Sequence, residues 1–157
     1  MTDNSRILGR VELVSLPEFG LENIPARIDT GARTSSLWAS DIKVTDSVLR
    51  CVLFGPGSAY FTGQAVSFST FSDAVVASSN GLEEHRFKVK LLIRIHGVKI
   101  RASFTLANRQ AQVYPVLVGR NVLLGKFMVD VKQGTPLSLE ERRRSRELKT
   151  RFNESGE

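Results

Sequence analysis

The chain has 157 residues, of which 41% are hydrophobic and 24% are charged, so it can bury a core and is too apolar to be wholly disordered. Its 22 lysines and arginines outnumber its 16 acids, and the net charge of +6 indicates an acidic partner or substrate. The single cysteine, Cys51, excludes an intramolecular disulfide framework, and no apolar run is long enough to span a bilayer. Since the N-terminal residues also lack the apolar stretch of a signal peptide, we expect a cytoplasmic protein that does not enter a membrane.

The first half of the chain is patterned as a series of short strands, separated by turns that contain glycine, proline or asparagine. Apolar residues alternate with polar ones at period two, which is typical of strands with one buried face. The predicted strands are residues 10–14, 24–28, 36–44, 50–54, 64–71 and 74–77. After them, the pair Asn80-Gly81 predicts a tight hairpin turn, because both residues tolerate a positive φ.

The clearest hairpin prediction covers residues 87–106, with Gly97 at its turn. Ile93 and Ile95 share one face of the first strand, and apolar side chains alternate in the same way along the second strand. We expect a strand at 113–118, a short helix at 121–126 and a last core strand at 127–131. Many short strands joined by such turns predict an all-β domain, either a small barrel or a sandwich.

The C-terminal residues 138–157 are more polar than the preceding residues 1–137, which we assign to one domain. A capping-box pattern predicts the start of a helix in this tail. Two pairs of opposite charges have the i,i+4 spacing of a helix, namely Glu140–Arg144 and Glu147–Arg151. The tail holds six basic and five acidic residues, so a solvated polar helix or tail is favoured over a nucleic-acid-binding arm built on 142–144.

The most informative residues for function follow the predicted strand at 24–28. This strand leads into Asp29-Thr30-Gly31 and the small residue Ala32. The segment resembles the active-site loop of the pepsin-like and retroviral aspartic peptidases. Downstream, the Gly-Arg-Asn motif at 119–121 resembles the segment that packs behind the catalytic loop in retroviral peptidases, and the hairpin before it occupies the matching place in the order of elements.

A narrower resemblance covers almost the whole domain, from about Gly9 to Val131. The motifs that carry it lie at residues 24–35, 79–81, 114–120 and 127–130. Together they resemble the bacterial and archaeal retropepsin-like family labelled ATP-dependent zinc protease. The resemblance implies a small closed barrel with one short helix and a flap hairpin, and an association with ATP-grasp ligases that add glutamates to proteins.

The zinc and ATP of that family label find no support in the residues. His85, His96 and Cys51 are isolated from one another and form no metal-ligand motif, so we expect no metal site. Residues 119–126 have five residues between the glycines where a phosphate-binding loop has four, and Phe127 stands where that loop places serine or threonine. We therefore expect no cofactor.

An aspartic peptidase needs two carboxylates that share one proton, because two like charges at hydrogen-bonding distance cannot both be ionised. The chain has one Asp-Thr-Gly sequence. We therefore predict a C2 homodimer in which Asp29 faces the partner's Asp29. Gly31 lets the two loops approach each other, and the resemblance implies that Thr30 hydrogen-bonds across the two-fold axis.

Retropepsins close a β-hairpin flap over the substrate. The order of elements places this flap at residues 75–87, with residues 78–81 at its tip, and of these Ser79, Asn80 and Gly81 are predicted substrate contacts. A plain surface hairpin is the alternative interpretation. The glycine-rich turn at 55–57 is the second candidate for the flap.

The basic residues suggest an acidic substrate. Arg33 stands where retroviral peptidases have an acid that pairs with the arginine of the Gly-Arg-Asn motif, which is Arg120 here. Residues 85–129 contain nine lysines and arginines and no acid. We predict that Ala32, Arg33, Arg86 and Arg120 contact a glutamate-rich peptide or tail, because guanidinium groups bind carboxylates bidentately. The alternative is a structural ion pair of Arg120 with Asp130 or Glu84.

Two functional hypotheses follow from these features. The first is a homodimeric aspartic peptidase that acts on acidic, glutamate-rich peptides or tails. The second is a non-catalytic module of the same fold whose basic face binds an acidic protein or RNA. Nucleic acid is not expected, because aromatic residues make up only 8% of the chain and no basic motif interleaved with aromatic residues is present.

Overall fold

The computed structural model describes residues 6–77, 80–134 and 139–154, and within the last range the side chains of 142–151. The strands of these residues are β1 (Ile7–Leu8), β2 (Val11–Leu16), β3 (Leu21–Ile28), β4 (Ser35–Thr45), β5 (Val48–Leu53), β6 (Ala65–Phe68), β7 (Ser72–Ala77), β8 (Glu83–Ile95), β9 (Val98–Ala107), β10 (Val116–Val118) and β11 (Met128–Val129). The helices are a 3-10 turn (Pro17–Phe19), α1 (Arg120–Leu123) and α2 (Leu139–Glu154). The described chain is therefore mostly β, as predicted.

The pairing of the strands closes the main sheet into a ring. The order β3-β2-β8-β9-β4 is completed by β10, which pairs with β3 in parallel and with β4 in antiparallel orientation. Val116 of β10 is thus opposite both Ala26 and Leu37. A sheet closed in this way is a barrel and not a sandwich, the other architecture that the sequence had left open.

The long hairpin of β8 and β9 confirms the clearest sequence prediction and extends it at both ends. Ile95 pairs with Val98, so His96 and Gly97 form a two-residue turn with φ values of 49° and 77°. His96 was expected on a strand and lies in this turn instead. Apolar side chains along both strands are buried, among them Leu91, Ile93 and Phe104.

The predicted hairpin at 75–87 is present, but its turn differs from the prediction. β7 pairs with β8 from Ser72 opposite Lys88 to Ala77 opposite Glu83, which leaves five connecting residues, 78–82. The two-residue turn expected at Asn80-Gly81 is therefore wrong, because the register of the strands sets a longer loop. Ser78 and Ser79 lie outside the described residues.

The turn at 55–57 lies against the barrel. A Cβ atom at Gly55 would stand 2.7 Å from the indole ring of Trp38, so only glycine fits at this contact. Trp38 is itself 3% exposed. These residues lie in the connection between β5 and its antiparallel partner β6, so the choice between the two flap candidates stays a prediction.

Several boundaries differ from the sequence expectations. α1 covers Arg120–Leu123 and not 121–126, because Leu124 leaves the helical region and Gly125 has a φ of 73°. The strand predicted at 113–118 begins only at Val116, and the strand predicted at 64–71 is shortened to β6. The last core strand is reduced to β11, which pairs in parallel with β1.

The predicted C-terminal helix is present as α2. Its residue Arg143 pairs with Glu147 at i,i+4 spacing. The expected pair of Glu140 with Arg144 lies outside the described side chains, and the domain boundary at 137 stays a prediction. Arg144 contacts the barrel, so α2 is more than a solvated tail. Within the described residues, no helix is both long and apolar enough to cross a membrane.

Candidate active site

The Asp-Thr-Gly loop begins where β3 ends, and backbone hydrogen bonds hold it in place. The N–H of Asp29 donates to the carbonyl oxygen of Val118 at 2.9 Å, which ties the loop to β10. Oδ1 of Asp29 accepts a hydrogen bond from the N–H of Gly31 at 2.9 Å. Asp29 is half-buried, whereas Thr30 and Gly31 are exposed. The carboxylate is thus fixed in orientation on a loop that a second molecule can approach.

Behind this loop, Gly119 allows a close approach of two backbone segments. A Cβ atom at this position would stand 2.7 Å from the carbonyl oxygen of Thr34 and 2.8 Å from that of Ala32. The next residue, Arg120, donates its N–H to the same oxygen of Ala32 at 2.8 Å. The Gly-Arg-Asn segment therefore packs directly behind the loop, as the resemblance to the retroviral peptidases implies.

A partly buried polar network joins this segment to β4 and β9. Asn121 Oδ1 accepts hydrogen bonds from the N–H of Ser35 at 3.0 Å and from its Oγ at 2.8 Å. Asn121 Nδ2 donates to the carbonyl oxygen of Ser103 at 2.8 Å. Ser35 Oγ also accepts from the N–H of Gly119 at 2.9 Å. Sequence reasoning identified neither Ser35 nor Ser103, although the motif drew attention to their partner Asn121.

Arg120 contacts the Asp-Thr-Gly loop and not a carboxylate. Its Nη1 donates to the carbonyl oxygens of Thr30 at 3.2 Å and of Gly31 at 3.1 Å. Both structural alternatives considered for Arg120 are wrong in the described structure. Glu84 pairs with Arg86 at 2.9 Å, and Asp130 accepts hydrogen bonds from its own turn. Arg120 thus supports the loop by binding its backbone carbonyl groups, and within the described residues no acid pairs with it.

An open pocket of about 430 Å³ lies beside the loop. Its lining contains three cationic side chains and no acid, together with hydroxyl, amide and leucine groups: Arg33, Thr34, Lys88, Ser103, Arg120, Asn121 and Leu124. The structure thus brings together Arg33 and Arg120, both predicted as substrate contacts. It adds Lys88, which sequence reasoning missed, because only the closure of the barrel shows which polar positions of β8 face this pocket.

A second group of cations lies near Asp29. Burial, followed by the positive charges of Arg86 and Arg27, lowers the pKa of Arg109 to about 10. The carboxylate of Asp29 opposes this shift, so Arg86, Arg27 and Asp29 each lie within range of the charge of Arg109. Arg109 stays protonated at neutral pH.

The members of this group are held in different ways. The Nε of Arg109 donates to the carbonyl oxygen of Tyr114 at 2.9 Å. Arg86, a predicted substrate contact, is bound to Glu84 and its side chain is 20% exposed. Arg109 and Arg27 were missed by sequence reasoning, and the acid-free run at 85–129 was the only signal for Arg109.

The predicted flap tip is exposed. Asn80 and Gly81 are exposed, and Ser79 lies outside the described residues. Two large apolar side chains of this hairpin are also exposed, Val75 at 65% and Leu82 at 68%. Contact of the tip with substrate stays a prediction.

Comparison with known proteins assigns the chain to a family. A family model described as RimB-like, retropepsin-like aspartic endopeptidase RimB, matches residues 7–135. The chain belongs to this RimB-like family. The match runs from β1 to beyond β11 and includes Asp29, the Gly-Arg-Asn segment and both groups of cations, whereas α2 follows it.

Individual relatives agree with this assignment. A protein of Shewanella pealeana named "Probable alpha-L-glutamate ligase" is 31% identical over 134 residues, which cover 83% of this chain and 29% of the relative. A protein of Desulfotalea psychrophila with the same name is 27% identical, with 80% and 28% covered. This RimB-like chain therefore spans less than a third of the length of these curated relatives.

A solved structure also resembles the chain. The crystal structure of a protein of unknown function from Legionella pneumophila superposes with a TM-score of 0.60 at 26% sequence identity. The superposition covers 81% of this chain and 94% of the Legionella chain. The RimB-like fold is thus shared along nearly the whole of that protein.

The groups that could bind a metal are engaged elsewhere in this RimB-like domain. His85 pairs with Asp73 at 3.0 Å, and His96 with Glu12 at 2.9 Å. Burial raises the pKa of the Cys51 thiol to about 11, so the sulfur is protonated at neutral pH and a poor metal ligand. Within the described residues, no group of three or more histidine, cysteine or acidic side chains could hold a metal ion.

Proposed function

We propose that the chain is an aspartic peptidase that hydrolyses peptide bonds as a homodimer, with Asp29 and the partner's Asp29 as the catalytic pair. The observation that carries this proposal is the fixed orientation of Asp29 on an exposed loop in a chain of the retropepsin-like family. Arg120 and the Gly119 contact support the loop from behind. Such support is what a catalytic carboxylate needs to meet a reacting group at a defined distance.

The chemistry follows from two carboxyl groups that share one proton. The ionised group takes a proton from water while the water oxygen attacks the scissile carbonyl carbon. The protonated group donates a hydrogen bond to the carbonyl oxygen, where negative charge develops. A proton then passes to the amide nitrogen, the C–N bond breaks, and a carboxylic acid and an amine leave.

The proposed dimer supplies the second carboxylate that a single chain lacks. Other aspartates are committed elsewhere: Asp73 pairs with His85, Asp41 with Lys43, and Asp130 caps its own turn. Unlike Asp29, none of these aspartates is followed by Thr-Gly in the sequence. The exposure of Thr30 and Gly31 leaves room for the loop of a second copy.

We further propose that the substrate is a glutamate-rich peptide or tail. Two groups of cations flank the Asp29 loop, and the one that lines the pocket contains no acid. Side-chain carboxylates on both sides of a scissile bond could therefore be bound at once. The name of the curated relatives, glutamate ligase, supports glutamate as the acidic residue of the substrate. A cytoplasmic location is a separate part of the proposal.

The deciding experiment compares oligoglutamate-tailed and oligoglutamine-tailed peptides, which match in length and shape but differ in charge. Mass spectrometry should detect shorter products from the glutamate tail in particular. Asp29→Asn should abolish cleavage, while Asp46→Asn, a matched change in the β4–β5 turn, should leave it intact. Cleavage by Asp29→Asn at the wild-type rate would refute the assignment.

The non-catalytic binding module is the second candidate, favoured by the same basic pocket. Sedimentation separates the two functions, because the peptidase requires a dimer and the binding module does not. A strict monomer that binds the oligoglutamate peptide without cleaving it would favour the binding module.

A further inference from the structure

The C-terminal helix α2 contacts the barrel through the guanidinium group of Arg144. Its Nη2 donates to the carbonyl oxygen of Gln110 at 2.7 Å, its Nε to that of Gln112 at 3.2 Å, and its Nη1 to that of Gly57 at 3.3 Å. The same group lies over the indole ring of Trp38, 5.0 Å from the ring centroid. One planar fork thus joins the helix, two barrel loops and the indole of Trp38.

Two of these three carbonyls belong to the loop 108–114, which connects β9 to β10. Gln110 and Gln112 are exposed, so few barrel contacts hold the outer side of this loop. Within the loop, the N–H of Gln112 donates to the carbonyl oxygen of Arg109 at 2.8 Å. The contact from α2 therefore reaches the backbone of Arg109, the residue whose guanidinium group lies in the vicinity of Asp29.

Arg109 is the member of the second cation group whose place depends on this loop. Arg27 lies on β3 and Arg86 on β8, and both strands belong to the ring of the barrel. Arg109 lies beyond the end of β9 and is fixed by its bond to Tyr114 within the same loop. A shift of the loop would move Arg109 relative to Asp29 and leave the other two arginines in place.

We propose that Arg144 is a positioning residue of the active site: through α2 it fixes the loop 108–114 and thereby holds Arg109 where a substrate carboxylate next to Asp29 is bound. This inference rests on the proposed peptidase function for its effect on substrate. The contact itself does not depend on that function. α2 also lies outside the residues 7–135 that the family model matches.

The contact can be tested without any substrate. Trp38 is the single tryptophan of the chain, so its fluorescence reports directly on the group that covers it. Arg144→Ala should increase acrylamide quenching of Trp38 and speed hydrogen exchange at the amides of 108–114. The control is Arg142→Ala, an exposed arginine two residues earlier on α2, which should change neither signal. Unchanged quenching and exchange in Arg144→Ala would overturn the proposal.

The effect on the site is tested by a double-mutant cycle with the oligoglutamate peptide. Arg144→Ala should lower kcat/KM about tenfold, mainly through KM, the loss expected when one charge-assisted hydrogen bond to the substrate is weakened. In an Arg109→Ala background, Arg144→Ala should have little further effect, because both changes remove the same interaction. Fully additive losses would show that Arg144 does not act through Arg109 and would overturn the proposal.

The two proposals fail in distinguishable ways. If wild-type protein does not cleave or bind the peptide, the proposed function fails, while quenching of Trp38 and exchange at 108–114 still decide whether Arg144 fixes the loop. If wild-type protein cleaves the peptide and Arg144→Ala cleaves it equally well, the function stands and the positioning role is refuted.

Discussion

Replacement of Asn121 by alanine should destabilise the domain more than the loss of any single hydrogen bond near the site. The change removes three hydrogen bonds, two from Ser35 and one to Ser103, each worth about 1 kcal/mol net. It also leaves the N–H of Ser35 without its acceptor, and since Ser35 is 0% exposed this adds about 1–3 kcal/mol. The expected loss is therefore about 4–6 kcal/mol, a large part of the roughly 5–15 kcal/mol that stabilises a typical domain.

The assay is urea unfolding followed by circular dichroism. Wild-type and variant proteins should have equal m values, so that a shift in the unfolding midpoint reports a change in stability alone. The matched control is Asn108→Ala, which removes the single hydrogen bond that the N–H of Gln110 donates to Asn108 Oδ1 at an exposed position. This control should cost less than about 1 kcal/mol. If Asn121→Ala costs no more than Asn108→Ala, the network does not hold the Gly-Arg-Asn segment as described.

Two further predictions concern charge and pH. Because burial raises the pKa of Cys51 from 9.0 to about 11, the stability contributed by the buried thiol is fully present below pH 9 and is lost as the pH rises through about 11. Cys51→Ala should flatten this part of the pH dependence in urea unfolding, and an unchanged slope would contradict the assignment. Arg33→Ala should raise KM for the oligoglutamate peptide about tenfold at low salt and less at high salt, whereas Arg50→Ala, on exposed β5 surface, should not. Equal effects of the two substitutions would show that the pocket does not bind the tail.

The strands could be predicted where alternation was long and uninterrupted. The β8–β9 hairpin follows from its period-two pattern and from Gly97, because one face had to pack on the core. Short segments were less well predicted. The loop at 78–82 shows why: a favourable Asn-Gly pair was overruled by the register that the rest of β7 and β8 imposes.

The site was predictable only where a sequence motif marked it. Asp29 and Arg120 lie in motifs, and in the structure Arg120 binds the carbonyl oxygens of the two residues that follow Asp29. Lys88 and Arg109 lie in no motif. Lys88 faces the pocket because the barrel closes, and Arg109 comes within range of the charge of Asp29 from an irregular loop, so both depend on the folding together of residues distant in sequence.

The role of Arg144 depends on tertiary contacts in the same way. From sequence, the arginines at 142–144 formed one charged run on a polar helix. In the structure they differ, because Arg144 faces Trp38 and three backbone carbonyls while Arg142 is exposed. Charge and helical spacing alone do not distinguish these positions, since the indole and the loops belong to distant parts of the chain.

The replacement of an acid by Arg33 changes how the Asp-Thr-Gly loop is supported. In the resembling retroviral peptidases, an acid at this position neutralises the arginine of the Gly-Arg-Asn segment. Here Arg120 supports the loop through the carbonyl oxygens of Thr30 and Gly31, so its structural role no longer requires a carboxylate. Within the described residues, no acid pairs with Arg33, Lys88 or Arg120. These three charges are therefore available to solvent ions or to the carboxylates of a bound substrate.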